Sequence, residues 1–347
     1  MCPTWAQSAP SPLGMAGRGG GSASMAIERI PVPNRETWLA MRQNDVTASV
    51  VGALLGVHEY QTPYGLYALK TGLTTEDPEE SPAMRRGRLF EPVAVQVIRE
   101  EHPEWEIKHN TGEDAVYLRD SSINLGATVD VFAKCRERGP GVIQIKSVQK
   151  DAFARNWIDP ETREVTPPLW IVLQAIAEAH LAGAKWAAVA PLVVNYGVDL
   201  PIVHVPIHDA VIARMRGLTK AFWAAIENDD VPLPDFDKDA AIIHRLFAQD
   251  DGTTVQLAGD RIVQLLAERV PLKAAEAAGE AAAKRRRVLD TEIIQMLGDA
   301  ASGVLPDGTV VTAKTTHRKG YEVRPSSFRT VRVKPGSGEQ PGVIEEF

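Results

Sequence analysis

Between Gly126 and Val148 the chain reads GATVDVFAKCRERGPGVIQIKSV, two apolar, β-branched runs flanking a polar turn near Glu137–Gly141. That pattern predicts a β-hairpin. Side chains alternate faces along a strand, so Gln144 and Lys146 share one face while Ile145 points opposite, into a core. On either side of the hairpin the apolar period lengthens from two to about 3.6, the spacing of a helix. Residues 83–101 place Phe90, Ala94, Val97 and Ile98 on one stripe, with Glu91 beside it near the helix start. Residues 169–182, LWIVLQAIAEAHLA, form a strongly apolar helix that ends at Gly183, a good C-cap. Gln174 is the polar exception in its middle, and a buried Gln must be hydrogen-bonded.

The same periodicities order the rest of the chain. Asn34 caps a short helix carrying Trp38, Leu39 and Arg42. Thr47-Ala48-Ser49 opens a second helix with Val50, Ala53, Leu54 and Val57 on its apolar face. A helix from Tyr64 to Lys70 and an acidic loop at 74–82 come next. Short strands are expected at Trp105–His109 and Ala115–Leu118, then the hairpin, then strands at 186–194 and 200–206 turned at Tyr196-Gly197. Residues 151–166 read as a polar excursion with Trp157. Past Pro167-Pro168 and the apolar helix, His208-Asp209 starts a helix to about Asn228. After the prolines 232 and 234 come a helix at 238–248, a strand at Val255–Leu257 and a helix at 259–269. Pro271 then suits the first position of a long helix over 271–297. Asp307-Gly308 between β runs signals a hairpin, with further strands at Tyr321–Val323 and Phe328–Val333 and a loose tail at 335–347.

Composition narrows the picture in a few places. Residues 1–24 are rich in Gly, Ser, Pro and Ala with a single charge, Arg18, and are expected to be disordered. Met25 opens a more ordinary beginning, which raises a later start codon as a hypothesis that the intact mass of natively expressed protein would test. No apolar run approaches the roughly 20 residues a membrane-spanning helix needs. The two cysteines, Cys2 and Cys135, cannot build a four-cysteine zinc or iron–sulfur site. A net charge of −7 argues against a generally basic coat for nucleic acid but leaves room for a locally basic channel.

Three groups of residues carry candidate chemistry. Pairing the hairpin strands would bring Asp130 beside Gln144 and Lys146: an acid, an oxygen ligand and an ammonium, suited to Mg²⁺ and a phosphodiester. A solvated Asp and Lys on an amphipathic hairpin gives the same pattern. Ser49 lies in a helix's first turn, where free N–H groups and the dipole favour an anion, and Arg42 is seven residues away; a capped helix with an exposed Arg is the alternative. Lys284-Arg285-Arg286-Arg287 is either a solvated helix face or a contact to DNA or a partner.

Taken in order, Arg42…Ser49, Gly87-x-x-x-Glu91, Asp130, Gln144-x-Lys146 and Gln174 resemble the YqaJ-like viral recombinases, the family of phage lambda exonuclease within the PD-(D/E)XK nuclease superfamily. The resemblance covers about 34–210, and the segment 255–333 also looks like the region downstream of the nuclease core in phage members. It implies an α/β, restriction-endonuclease-like core, a mixed central sheet flanked by helices, over 25–230, with a long helix plus β-hairpin extension at 231–334. It implies Asp130, Gln144, the Ile145 backbone carbonyl and Glu91 as metal ligands, and Lys146 as the catalytic Lys. Arg42 and Ser49 would hold the 5′-phosphate, with Gln174 near the active site and the DNA end. The implied cofactor is Mg²⁺, or Mn²⁺. The implied partners are linear duplex DNA ends, a single-strand annealing recombinase and further copies in a ring, in the cytoplasm of a bacterial host.

Gln144 departs from the family pattern, which has an acid there. Three readings stay open: a natural enzyme that tolerates Gln, an engineered inactivating change, or a protein that kept DNA binding and lost cleavage. The functions to be separated are therefore a metal-dependent 5′→3′ exonuclease leaving 3′ overhangs, a DNA-end binder on a nuclease fold, and an endonuclease on the same core.

Overall fold

The computed structural model describes residues 27–75, 80–275, 279–317 and 327–334. The expectations for 1–24, Met25, Tyr321–Val323 and 335–347 lie outside the described residues.

The described residues form a mixed α/β protein with three sheets. The central one has the strand order β10(Val203–Val205), β8(Trp186–Val194), β7(Gly139–Val148), β6(Val131–Cys135), β3(Glu106–His109), with β9(Val198–Asp199) pairing β8. β7 and β8 run parallel over eight residue pairs, from Gly141↔Trp186 to Val148↔Val193, while β6 and β7 are antiparallel. A parallel pair needs a crossover, supplied here by α6(Leu169–Ala182). Gly183 ends that helix in the left-handed conformation, as the sequence predicts.

Alternation along β7 assigns its faces. Val142 and Val148 join a core with Ile171, Leu173 and Ala177 of α6. Ile143 and Ile145 join another with Ala94, Val95 and Ile98 of α4(Pro82–Glu101). The sheet is thus covered on both faces, and Gln144 and Lys146 point toward α6. Gly141 of β7 faces the Trp186 indole: a Cβ there would fall 2.0 Å from ring carbon Cε2, so only Gly fits without moving a buried Trp.

Two expectations need correction here. The first run of the hairpin is not one strand. β5(Leu125–Ala127) belongs to another sheet, ordered β1(Glu28–Pro31), β4(Val116–Asp120), β5, β2(Val46–Thr47), and the chain changes sheets across Thr128–Asp130. Buried Asn110 bridges that break. Its amide donates to the carbonyls of Val116 and Val129 (both 2.9 Å), and its N–H donates to the Asp130 carbonyl (3.0 Å). The turn is Arg136–Arg138, because Cys135 pairs with Gly139 and Gly139 takes φ +75°. The polar excursion expected at 151–166 opens with a helix, α5(Lys150–Asn156), and its Trp157 is buried.

The third sheet, β11(Thr254–Gln256), β12(Ser302–Val304), β13(Val310–His317), β14(Ser327–Lys334), packs with α8(Ala240–Leu246), α9(Asp260–Ala275) and α10(Glu280–Leu297) around a separate core. Asp307-Gly308 makes the predicted β12–β13 turn, with Gly308 at φ +82°. Pro271 does not open the long helix: it sits inside α9, which runs on to Ala275, and α10 has 18 residues. A Pro loses only one helical hydrogen bond, and α9 keeps Ile262, Leu265 and Leu266 buried in the core upstream of it.

Candidate active site

Asp130 stands at the sheet-to-sheet break, immediately before β6. The β6–β7 register pairs Val131 with Ile143, which sets Asp130 beside Gln144. The Ile145 N–H donates to Asp130 Oδ2 at 2.9 Å, and the Gln144 amide Nε2 donates to the same oxygen. Gln144 Nε2 also donates to the Ile145 carbonyl at 3.0 Å. Helix α6 supplies the next layer. Gln174 Nε2 donates to Gln144 Oε1 at 2.5 Å and to Glu178 Oε1 at 2.8 Å, and Gln174 Oε1 accepts from Lys146 Nζ at 2.9 Å. Gln144, Gln174 and Glu178 are all buried.

This chain of amides has a direction. The Lys146 ammonium can only donate, so it takes the Gln174 oxygen and turns the Gln174 nitrogen toward Gln144 and Glu178. The Gln174 N–H fixes Gln144 Oε1, so Gln144 turns its nitrogen toward Asp130 and the Ile145 carbonyl. The sequence pattern calls for an oxygen ligand from Gln144 beside Asp130; the structure presents the amide NH₂ instead. An NH₂ donor does there part of what a cation would do, covering two oxygens that would otherwise face each other in a poorly hydrated place.

Glu91 comes from α4, on the other face of the sheet. Its Oε1 lies 2.7 Å from His109 Nε2, on the last residue of β3. Its charge reaches Asp130. Burial first and Glu91 second raise the Asp130 pKa from 3.8 to about 7, against the opposing pull of Lys146 and the Ile145 N–H. Glu178 is raised well above an ordinary carboxylate, by burial and then by Asp130. Its Oε2 is buried without a hydrogen-bond partner, which a protonated carboxyl tolerates better than an ionised one. Glu178 is one helical turn beyond Gln174, and no sequence motif singles it out. The available signal is an acid four residues after Gln174 on a helix otherwise apolar nearly all round.

Ser49 and Arg42 sit on different elements. The predicted helix at Thr47 is instead a strand end (β2), a 3-10 turn at Ala48–Val50 and the four-residue α2(Val51–Leu54). Val46 and Thr47 pair parallel with Leu125 and Gly126 of β5, so the extended conformation wins at Thr47 and Ser49 falls in the tighter turn. The Ser49 hydroxyl pairs with that of Thr47 at 2.9 Å, and the Ser49 carbonyl lies 3.0 Å from His58 Nε2. Arg42, on α1(Arg35–Asn44), stacks its guanidinium 4.4 Å above the Trp38 ring, and Trp38 Nε1 donates to Thr128 Oγ1 at 2.9 Å, beside the sheet break. Asp130, Gln144, Ile145, Lys146 and Gln174 therefore form one hydrogen-bonded group. Glu91 is coupled to it through charge, while the contacts of Ser49 run to Thr47 and His58 and Arg42 stacks on Trp38.

The basic run on α10 is largely engaged with acids: Lys284 with Asp237 at 2.8 Å, Arg285 with Glu268 at 2.6 Å and Arg286 with Asp290 at 2.6 Å. Those pairings favour a solvated, ion-paired face over a nucleic-acid contact. Among the described residues, no three His, Cys, Asp or Glu side chains cluster closely enough to hold a metal ion, and no helix is long and apolar enough to cross a membrane. The oxygens on offer are Asp130 and Glu91 carboxylates and the Ile145 carbonyl, a hard donor set of the kind Mg²⁺ or Mn²⁺ takes.

Residues 37–185 match the YqaJ-like viral recombinase domain. No curated protein sequence matches the chain. Among solved structures, an alkaline exonuclease, LHK-Exo, from Laribacter hongkongensis is 20% identical with a TM-score of 0.42, covering 56% of this chain and 94% of its own. The same enzyme in complex with dAMP gives 20% identity and 0.41, with the same coverage. A SOX–DNA complex gives 11% identity and 0.37, covering 57% of this chain and 68% of its own.

Proposed function

We propose that this chain, whose residues 37–185 match the YqaJ-like viral recombinase domain, is a phage-type, metal-dependent exonuclease that degrades the 5′ strand of linear duplex DNA and leaves 3′ overhangs. The observation that supports it most is the hydrogen-bonded group Asp130–Gln144–Lys146–Gln174 at the junction of two sheets, inside that domain. In this reading residues 25–230 are a restriction-endonuclease-like core.

Asp130, the Ile145 carbonyl and Glu91 would hold Mg²⁺ or Mn²⁺, which supplies Lewis acidity and a more acidic bound water when present. Lys146, aligned by the Gln174 oxygen, orients the attacking water and offsets charge building on the phosphate oxygens. Gln174, held by Glu178, keeps that ammonium from swinging away. Arg42 and Ser49 would seat a terminal 5′-phosphate, which selects ends over internal positions. The 3′ strands left behind would load a single-strand annealing protein, and several copies of the chain in a ring would keep the enzyme on its track.

A second reading has its own support. Gln144 Nε2 donates to Asp130 and to the Ile145 carbonyl, so a neutral amide takes up the oxygens that a metal would use, as suits a protein that binds DNA ends without cutting them. Linear and circular duplexes, with and without 5′-phosphates, incubated with Mg²⁺ or Mn²⁺, separate the readings. Metal-dependent loss of linear DNA that stops in Lys146→Ala supports the exonuclease. End binding without hydrolysis supports the binder, and cutting of the circle supports an endonuclease.

A further inference from the structure

Beside Lys146 lies a group of aromatic rings that the hydrolytic chemistry does not use. Trp170, one turn before Gln174 on α6, has its ring centroid 5.6 Å from Lys146 Nζ. His58 packs on the indole at 4.6 Å, and Tyr60 stands edge-on to it at 6.1 Å and 81°. The platform is rigid at its base. His58 is buried, its Nδ1 accepts the N–H groups of Tyr60 (3.1 Å) and Gln61 (3.0 Å), and its Nε2 donates to the Ser49 carbonyl. Both ring nitrogens are therefore committed to the backbone, which excludes His58 as a base or ligand. Gly52 permits the close approach, since a Cβ there would sit 3.1 Å from Trp170 Cβ.

Its outer member presents most of its ring to solvent. Tyr60 is 73% exposed, so its ring contributes little burial to the fold, and Leu169, next to Trp170, is 55% exposed. Apolar and aromatic surface is thus displayed next to an ammonium, and His58 links it to Ser49, the group proposed to face the terminal phosphate. The charge of Glu59 reaches the Tyr60 hydroxyl, and an acid there disfavours a phosphate on this patch and leaves the neutral, planar part of a nucleotide as the better occupant.

We propose that Tyr60, backed by Trp170 and His58, is a stacking platform for the nucleobase next to the phosphate held at Lys146. A base–aromatic stack contributes about 1–3 kcal/mol and tolerates any base, so the platform would hold the end of the strand without imposing sequence. The inference rests on the nuclease reading of the site, but its test does not need hydrolysis. Binding of a 5′-phosphorylated duplex is measured by fluorescence anisotropy in EDTA, with the terminal nucleotide either intact or abasic. The intact end should bind roughly 5- to 150-fold tighter than the abasic end, in line with that stacking energy. Tyr60→Ala should remove the difference by weakening only the intact end. Tyr60→Phe should keep it, because the ring and not the hydroxyl is at work. Equal affinity of the parent protein for both ends, or an equal loss on both ends in Tyr60→Ala, overturns the platform. Digestion assays on the same proteins report separately on hydrolysis.

Discussion

Replacing Gln144 by Glu restores the acid that the family pattern has at this position, and the structure sets what it should do. The amide now donates to Asp130 and to the Ile145 carbonyl and accepts from Gln174. A glutamate keeps the acceptor and loses both donations. Losing a hydrogen bond to a charged acceptor costs about 1.5–3 kcal/mol, and a second carboxylate against Asp130 adds repulsion in a place that already raises the Asp130 pKa to about 7. Taking about 2 kcal/mol, at roughly 2–4 °C per kcal/mol for a domain of this size, the metal-free variant should melt about 4–8 °C below the parent. A divalent ion present at about 100 times its Kd returns about 2.7 kcal/mol, which more than offsets the loss. The assay is thermal unfolding of both proteins in EDTA, Mg²⁺ and Mn²⁺ at a fixed, mildly alkaline pH. The variant should be the less stable protein in EDTA and show the larger rise with metal. A variant as stable as the parent in EDTA, with the same response to metal, would refute the reasoning that Gln144 stands where a cation otherwise would.

Other perturbations probe other parts of the site and the fold. Lys146→Ala should lower DNA hydrolysis at least about 100-fold, the scale of a lost general acid–base group, and leave the melting temperature within a few degrees; steady-state digestion and thermal unfolding measure the two. Glu178→Gln should stabilise the protein at alkaline relative to acid pH in urea titrations. The folded state holds this proton more tightly than the unfolded chain, so the contribution of Glu178 is complete at acid pH, is lost as the pH rises, and is absent from an amide. Asp130 has the same sign, its favourable contribution declining as the pH climbs from its ordinary 3.8 toward about 7, and Asp130→Asn should flatten the parent's pH–stability curve over that window. Gly141→Ala should cost about 1–3 kcal/mol or more through overpacking on Trp186, read as a lower urea midpoint with the near-UV signal of that Trp altered.

The sequence was most legible where one local rule acted alone. The Leu169–Ala182 helix and its Gly183 cap, the Trp186–Val194 strand and the Asp307-Gly308 turn result from period, capping and turn chemistry. It misled where a distant partner decided. Thr47 is a strand because β5 pairs with it, and the run from Gly126 to Cys135 divides because its halves join different sheets. Pro271 marks no boundary because the apolar face of α9 carries the helix past it. At the site, strand alternation sufficed to put Gln144 and Lys146 on one face. It could not show which atom of Gln144 meets Asp130, because that depends on Gln174 and Glu178 across a crossover. Asn110 is invisible because it satisfies groups far away in sequence, and Glu178 because what gives it meaning, the charge of Asp130, comes from another element.

The most direct test of the central claim is the fate of an end label. A linear duplex carrying 5′-phosphates, with one strand labelled at its 5′ phosphate or at its 3′ end, is incubated with the protein and Mg²⁺ or Mn²⁺, and the products are separated by size. An exonuclease of the proposed polarity releases the 5′ label early as mononucleotide while the 3′ label stays in long single strands, and Lys146→Ala does neither. Release of the 5′ label in oligonucleotides, early loss of the 3′ label, or no release with either metal would contradict it.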